Sequence, residues 1–94
     1  MKIQVRSALT VAKVLSGKRV FVDVPEPLTL GDLLDELTRI YGQAFRDAVC
    51  DENGYTANKA ALLVNGVSAA AKEGLETRLK DGDDVLILPV ISGG

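Results

Sequence analysis

The last five residues of the sequence, Val90-Ile91-Ser92-Gly93-Gly94, are the segment whose residue types and spacing favour chemistry. Gly93 and Gly94 lack Cβ atoms, so their backbone fits a narrow channel that any side chain would block. Glycine makes up about 7% of residues on average, so a terminal pair arises by chance in about one chain in two hundred. Val90 and Ile91 would supply apolar contacts at the mouth of such a channel. The segment predicts a flexible arm that delivers a reactive carboxylate, with a frayed chain end as the alternative.

The composition of the chain indicates that such chemistry depends on another protein. Histidine, the commonest general base and metal ligand, is absent. Cys50 is the single cysteine, which excludes an internal disulfide, favours a reducing compartment such as the cytoplasm, and is more typical of buried packing than of sulfur relay. The sequence contains no glycine-rich phosphate loop. We therefore predict that the chain is not an enzyme and binds no cofactor or metal itself.

Charge and hydropathy argue against two classes of partner. The formal net charge is −2, whereas a nucleic-acid-binding protein normally presents a basic face. No run of about 18 apolar residues occurs, so we expect no membrane-spanning segment, and the first residues lack the apolar block of a signal peptide. A length of 94 residues fits one domain. We place that domain at residues 1–89 and a flexible tail at residues 90–94.

Alternating or continuous apolar residues predict four strands. They are centred on residues 3–5, 20–24, 61–64 and 85–88. The first strand is expected to run to about Leu9 and to form a hairpin with the second through a short loop that turns at Ser16-Gly17. The last strand is apolar on both faces, so it is expected in the centre of the sheet, and Pro89 ends it.

One long helix is predicted after Thr29, which acts as its N-cap with Asp32 in the first turn. Apolar residues then recur at helical spacing and form a single stripe, which is expected to belong to the core. The stripe contains Leu30, Leu33, Leu34, Leu37, Ile40 and Tyr41. Gly42 supplies the C-terminal cap, and residues 44–49 are expected to add one or two helical turns.

The order strand, strand, helix, strand, strand predicts an α+β protein. Because a helix separates the two halves of the chain, the first and last strands are able to pair in parallel in the middle of the sheet. This layout is the β-grasp, or ubiquitin-like, fold, in which a mixed sheet of four or five strands packs on one main helix.

Several segments resemble one known family. The ending Asp81-Gly82-Asp83-Asp84-Val85-Leu86-Ile87-Leu88-Pro89-Val90-Ile91-Ser92-Gly93-Gly94 is similar to the C-terminal signature of the MoaD/ThiS sulfur carriers. Val64-Asn65-Gly66, Gly74-Leu75 and the helix start at Thr29-Leu30-Gly31-Asp32-Leu33-Leu34 resemble other recurring segments of that family. The sequence departs from the pattern at Val90, where many molybdopterin-type carriers place a second proline. The three acids Asp81, Asp83 and Asp84 are expected to be solvated charge rather than a cation site.

The resemblance implies a mechanism for the tail. An E1-like adenylating enzyme would use ATP and magnesium to activate the carboxylate of Gly94, and a sulfurtransferase or persulfide donor would supply sulfur to form a thiocarboxylate. Gly93 would be the slender neck behind it, and Pro89, Val90, Ile91 and Ser92 would contact the partner. The acceptor would be a protein such as the large subunit of molybdopterin synthase.

Three other uses of the same chain stay open at this point. The thiocarboxylate would serve cysteine biosynthesis or another sulfur-transfer route instead of molybdopterin assembly. Alternatively, Gly94 would be joined to lysines of other proteins, as in a ubiquitin-like modifier, which begins from the same adenylate. The last alternative is a passive interaction module whose terminus has no chemical role.

Overall fold

A computed structural model describes residues 1–90, and Ile91, Ser92, Gly93 and Gly94 lie outside the described residues. Its centre is a mixed five-stranded sheet in the order β2-β1-β9-β6-β7. The bounds of these strands are Lys2–Ser7 for β1, Arg19–Asp23 for β2, Ala60–Val64 for β6, Val67–Ser68 for β7 and Asp84–Pro89 for β9. Two short ribbons pair β3 (Leu28–Thr29) with β8 (Arg78–Leu79) and β4 (Cys50–Asp51) with β5 (Gly54–Tyr55).

The last strand, β9, occupies the middle of the sheet, as its apolar sequence predicted. It runs parallel to β1, from the pair Gln4 and Asp84 to the pair Ser7 and Ile87. On its other side it is antiparallel to β6, where Ala60 lies opposite Pro89. The parallel pairing of the first and last strands is therefore confirmed. Pro89 is the final residue of β9 rather than the residue after it.

Three helices cover one face of the sheet or its ends. They are α1 (Leu9–Val14), α2 (Leu30–Tyr41) and α3 (Gln43–Val49), and two 3-10 turns follow at Ala69–Ala71 and Gly74–Glu76. None of the helices in residues 1–90 has the length and apolar character needed to cross a membrane.

Helix α2 begins where the capping pattern predicted. The Asp32 amide donates to the Thr29 hydroxyl at 3.1 Å, and the Thr29 amide donates to the Asp32 carboxylate at 3.1 Å. These two bonds satisfy amides that have no partner within the helix. Gly42 ends the helix with a φ of +81°, a value that side chains disfavour.

The predicted apolar stripe of α2 is buried over its first two turns only. Leu30, Leu33, Leu34 and Leu37 are buried, but Ile40 is 47% exposed and Tyr41 is partly buried. The prediction that Ile40 belongs to the core is therefore wrong. The reason lies in α3, which follows immediately and contributes the fully buried residues Phe45 and Val49 to the core.

The connection between β1 and β2 differs from the predicted short loop. Strand β1 ends at Ser7, and helix α1 occupies residues that the alternation had assigned partly to the strand. Val11 and Leu15 lie four residues apart and are almost completely buried, with Val14 packed against the same core. This helical spacing was the available signal, and burial of these side chains favours the helix over an extended loop.

Candidate functional site

The predicted tail leaves the domain at the carboxyl end of β9. There the Val90 amide donates to the Lys59 carbonyl at 2.8 Å, which extends the pairing of β9 with β6 by one residue. The Val90 side chain is 47% exposed. Of the predicted site residues, the structure therefore places Pro89 and Val90 at this exit, while Ile91, Ser92, Gly93 and Gly94 lie outside the described residues.

The segment that holds Val90 is itself braced. The Tyr55 hydroxyl donates to the Ala60 carbonyl at 2.6 Å, and Lys59 Nζ donates to the Asp47 carbonyl at 2.7 Å. Burial raises the pKa of the Tyr55 phenol, which favours the protonated form that donates this bond. These two bonds connect the start of β6 to β5 and to α3, and so they hold the point at which the chain leaves the domain.

Two surfaces flank the exit. On the helical side, a shallow groove of about 520 Å³ is lined in part by Val14, Ala44, Ala48, Pro89 and Val90. A larger hollow of about 650 Å³ is not one of these two surfaces. It lies beside Pro27, Leu79 and Asp81, just before β9 begins. Because a six-residue strand is about 20 Å long, that hollow is remote from the tail.

The second surface lies on the outer face of the sheet, which the helices do not cover. Leu86 and Leu88 point outward because they alternate with buried Val85 and Ile87. Their neighbours across the ladder are Leu63 and Ala61 on β6. We call Ala61, Leu63, Leu86 and Leu88 the exit strip, since it runs along β9 toward Pro89 and Leu88 is 37% exposed.

The carboxylates of the acidic turn before β9 lie at the surface, as expected of solvated charge, but they also accept hydrogen bonds that hold the turn in place. The Asp81 carboxylate accepts a bond from the Lys2 amide at 2.6 Å. The Asp83 carboxylate accepts from the Lys80 amide at 2.7 Å and from Asn65 Nδ2 at 3.0 Å. These bonds fix the start of β9 between β1 and the turn that follows β6.

Asn65 completes this arrangement through its backbone shape. Asn65 and Gly66 have φ values of +51° and +84°, which suit the tight turn between β6 and β7. The Asn65 side-chain oxygen also accepts from the Asp84 amide at 2.9 Å. The family segments around Asn65 and Asp81 therefore meet in space, and together they set the register of the strand that carries the tail.

Asp84 makes a bidentate ion pair with Arg6 on the outer face of the sheet. Its carboxylate accepts from Arg6 Nε at 2.8 Å and Arg6 Nη2 at 2.7 Å, and from Gln4 Nε2 at 2.7 Å. The hydrogen bond from the Arg6 guanidinium, aided by that from Gln4, holds the pKa of the Asp84 carboxyl below its usual value. The contact joins β1 to β9 where their parallel pairing begins.

We predict that Asp84→Asn lowers the free energy of unfolding near neutral pH and makes that free energy depend less on pH in the acid range. Because the native carboxyl has a lowered pKa, its contribution is complete above the pKa of the unfolded chain and is lost as the pH falls through the native pKa. Urea unfolding at several pH values between about 2 and 7 measures this contribution. As a control, Asp35→Asn on the exposed face of α2 should retain the wild-type slope. Equal slopes for wild type and Asp84→Asn would contradict the prediction.

Two other family segments also meet. A Cβ atom at Gly31, in the first turn of α2, would lie 3.3 Å from the Leu75 carbonyl oxygen and 3.4 Å from its Cβ. Glycine at position 31 therefore allows the turn at Gly74-Leu75 to pack closely against the helix. This contact explains in physical terms why the two segments belong to one pattern.

Cys50 lies in β4 and is buried, which confirms the expectation that this side chain is buried. Burial raises the pKa of this thiol, which disfavours the nucleophilic thiolate. Within residues 1–90, no group of three or more metal-binding side chains is present.

The sheet wrapped on α2, with its C-terminal strand in the centre, defines the class of ubiquitin-like β-grasp proteins. Comparison with known proteins supports this class: the crystal structure of SAMP1 from Haloferax volcanii superposes with a TM-score of 0.82, at 29% identity over all of both chains. The sequence matches the ThiS family over residues 9–94. The chain therefore belongs to the ThiS family.

Two curated relatives are similar in sequence. Small archaeal modifier protein 3 of Haloferax volcanii is 32% identical over 95 aligned positions that cover all of both chains. A candidate sulfur carrier protein of Archaeoglobus fulgidus is 33% identical over 69 residues, which cover 73% of this chain and 77% of that protein. The resemblance to sulfur carriers is thus confirmed at the level of a family that includes both sulfur carriers and ubiquitin-like modifiers.

Proposed function

We propose that this protein is a sulfur carrier whose Gly94 carboxylate is adenylated by a partner enzyme and converted to a thiocarboxylate. Residues 1–89 act as the folded body and residues 90–94 as the tail. The observation that carries the proposal is the exit geometry, in which Val90 is bonded to Lys59 at the end of a central strand. Four residues follow Val90, and at about 3.3–3.6 Å per residue they reach about 14 Å at most. That reach suffices to enter a partner's active site.

The chemistry of the tail needs a partner at each step. A carboxylate is a poor electrophile, so the E1-like enzyme uses ATP and magnesium to convert Gly94 into an acyl adenylate with release of pyrophosphate. The terminal sulfur of a persulfide on the donor attacks the carbonyl carbon and AMP leaves, which gives an acyl disulfide between the donor and Gly94. A second thiol of the partner then attacks the donor sulfur, forms a disulfide with it and releases the thiocarboxylate and a proton. The resulting thiocarboxylate is a better nucleophile than the carboxylate. This chain thereby acts as a cosubstrate rather than a catalyst, in the cytoplasm where ATP and reduced sulfur are available.

The surfaces beside the exit support a docking role for the body. Pro89, Val90, Ile91 and Ser92 contact the partner. The exit strip adjoins this segment at Pro89 and presents apolar side chains on an uncovered face, the composition expected at the centre of a protein interface. We propose that the adenylating enzyme covers the exit strip and holds the tail in its active site.

Molybdopterin assembly is the route that we propose for the thiocarboxylate, with the large subunit of molybdopterin synthase as acceptor. The ending from Asp81 to Gly94 supports this choice through its likeness to the MoaD type. Sulfur donation for cysteine biosynthesis is the alternative within the carrier class. It is retained because this chain has Val90 where many molybdopterin-type carriers place a second proline. The match to a small archaeal modifier over the whole chain favours a further role, in which Gly94 is conjugated to lysines.

One experiment tests the carrier function directly. The protein is incubated with its adenylating enzyme, ATP, magnesium and a sulfur donor, and its intact mass is measured. A carrier shows replacement of one oxygen by sulfur, which fragmentation locates at Gly94. Cell extracts are then examined for larger conjugates that disappear when Gly93 and Gly94 are deleted. Conjugates without a thiocarboxylate would indicate a modifier. If neither conjugates nor a thiocarboxylate were found, only the passive interaction module would remain.

We also predict that Leu88→Lys slows adenylation by about tenfold or more in kcat/KM, because it places a charge in the proposed interface. Ile40→Lys is the matched control, since Ile40 is a comparably exposed aliphatic residue on α2, away from the exit strip. Pyrophosphate release measures the rate, and thermal unfolding verifies that both variants are folded. Equal rates for the two variants would show that the enzyme does not cover the exit strip.

A further inference from the structure

Strand β2 forms one edge of the sheet, so the backbone groups on the side away from β1 have no partner strand within the described sheet. Met1 and Val24 exchange two hydrogen bonds, at 2.7 and 2.9 Å, and the Ser7 amide bonds the Lys18 carbonyl at 2.9 Å. Because bonded and non-bonded pairs alternate in an antiparallel ladder, every second residue of β2 faces away from β1. Arg19, Phe21 and Asp23 therefore direct their N–H and C=O groups outward.

The side chains of these same three residues project from the outer face of the sheet. Phe21 is 61% exposed, the largest exposed fraction among the large apolar side chains in residues 1–90. Lys2 Nζ lies 5.9 Å from the centre of its ring, which leaves most of the ring in contact with solvent. Within the same residues, neither Arg19 nor Asp23 takes part in an ion pair.

This edge is unusual because it retains the features that natural edge strands normally avoid. It is five residues long and contains no proline, and it carries an exposed aromatic ring at its centre. The opposite edge, β7, has only two residues. The charges at the two ends of β2 are of opposite sign, so they do not repel a strand that approaches in the antiparallel direction.

We propose that β2 pairs with β2 of a second copy of this chain, antiparallel and centred on Phe21. The sequence Arg-Val-Phe-Val-Asp is self-complementary in this register. Arg19 of each copy lies opposite Asp23 of the other, and the two Phe21 rings meet at the two-fold axis. In this register residue 19 of one copy lies opposite residue 23 of the other, and residue 21 lies opposite residue 21. Each of the six outward N–H groups of the two copies therefore meets a carbonyl group of the other copy.

The resulting dimer has one continuous ten-stranded sheet and a closed two-fold interface. Strand β9 is separated from β2 by β1, so both tail exits stay clear of the contact and lie at opposite ends of the sheet. The inference is therefore independent of the proposed function. A contact through one strand edge is smaller than the interfaces of stable dimers, so the association is weak and depends on concentration.

Charge reversal provides the decisive test, in sedimentation equilibrium of the full chain at low salt. The wild-type mass is expected to rise from 10.0 kDa toward twice that value as concentration increases. Arg19→Asp and Asp23→Arg each replace two attractive pairs with two repulsive ones, and each should lower the association constant by about tenfold or more. The double variant Arg19→Asp/Asp23→Arg regenerates both pairs and should restore association.

Three outcomes of the sedimentation experiment would overturn the proposal. They are a monomer at all concentrations up to about 1 mM, a dimer that neither single reversal weakens, and a double variant no better than the singles. Amide hydrogen exchange gives a second readout. Exchange of the Arg19, Phe21 and Asp23 amides should slow as protein concentration rises, whereas Val20 and Val22, already bonded to β1, should not change. Concentration-independent exchange at Phe21 would also overturn it.

Discussion

Gly93→Val is expected to reduce adenylation of Gly94 by about a hundredfold or more in kcat/KM while leaving the fold intact. The added side chain would prevent the tail from entering a channel shaped for bare backbone, and misplacement of a reacting group by about 1 Å costs on the order of a hundredfold. The free energy of unfolding should change by less than about 0.5 kcal/mol, because position 93 lies beyond the last strand. Pyrophosphate release and urea unfolding measure the two effects.

The matched control for this variant is Ser92→Ala, which alters the neighbouring tail position without adding bulk. It is expected to be adenylated at nearly the wild-type rate. If Gly93→Val were activated as quickly as Ser92→Ala, the narrow-channel explanation of the two glycines would fail. Loss of activity accompanied by loss of stability would place Gly93 in the folded body instead.

Leu37→Ala is expected to have the opposite pattern, with a loss of about 2–5 kcal/mol in the free energy of unfolding and normal tail chemistry in the folded fraction. Leu37 is completely buried, so the truncation removes apolar contacts and leaves a cavity. A domain of this size has a total stability of about 5–15 kcal/mol, so a substantial part would be lost.

Ile40→Ala serves as the control, since it removes a similar side chain three residues later in α2. Ile40 is 47% exposed, and its truncation should cost less than about 1 kcal/mol. The two residues belong to the same apolar stripe in the sequence, so the comparison separates helical periodicity from actual burial. Similar losses for both variants would contradict the exposed position of Ile40 near the end of α2.

The elements that local patterns specify were predictable. The capping pair Thr29 and Asp32 marks the start of α2 through bonds only three residues apart in sequence. The apolar sequence of β9 predicts its central position, although only Val85 and Ile87 face the core and Leu88 lies on the uncovered face.

The features that depend on distant partners were indicated weakly or not at all by local patterns. Helix α1 forms because Val11 and Leu15 find a core to bury against, and its six residues are too few to form a helix on propensity alone. The acidic turn appears solvated in the sequence, yet Asp81 bonds the amide of Lys2, 79 residues away. No nearby residue identifies that partner.

The pairing of the first and last strands also makes the completion of folding depend on the strand that precedes the C-terminus. Until β9 inserts, β1 and β6 have no strand between them, and the sheet exists only as two separate halves. Contacts between Gln4 and Asp84 close a loop of about 80 residues, which makes this step slow relative to local hairpin formation. An incompletely folded chain thus cannot present its C-terminus on a rigid platform. Under the proposed function, insertion of β9 is therefore also the step that makes the chain ready for adenylation.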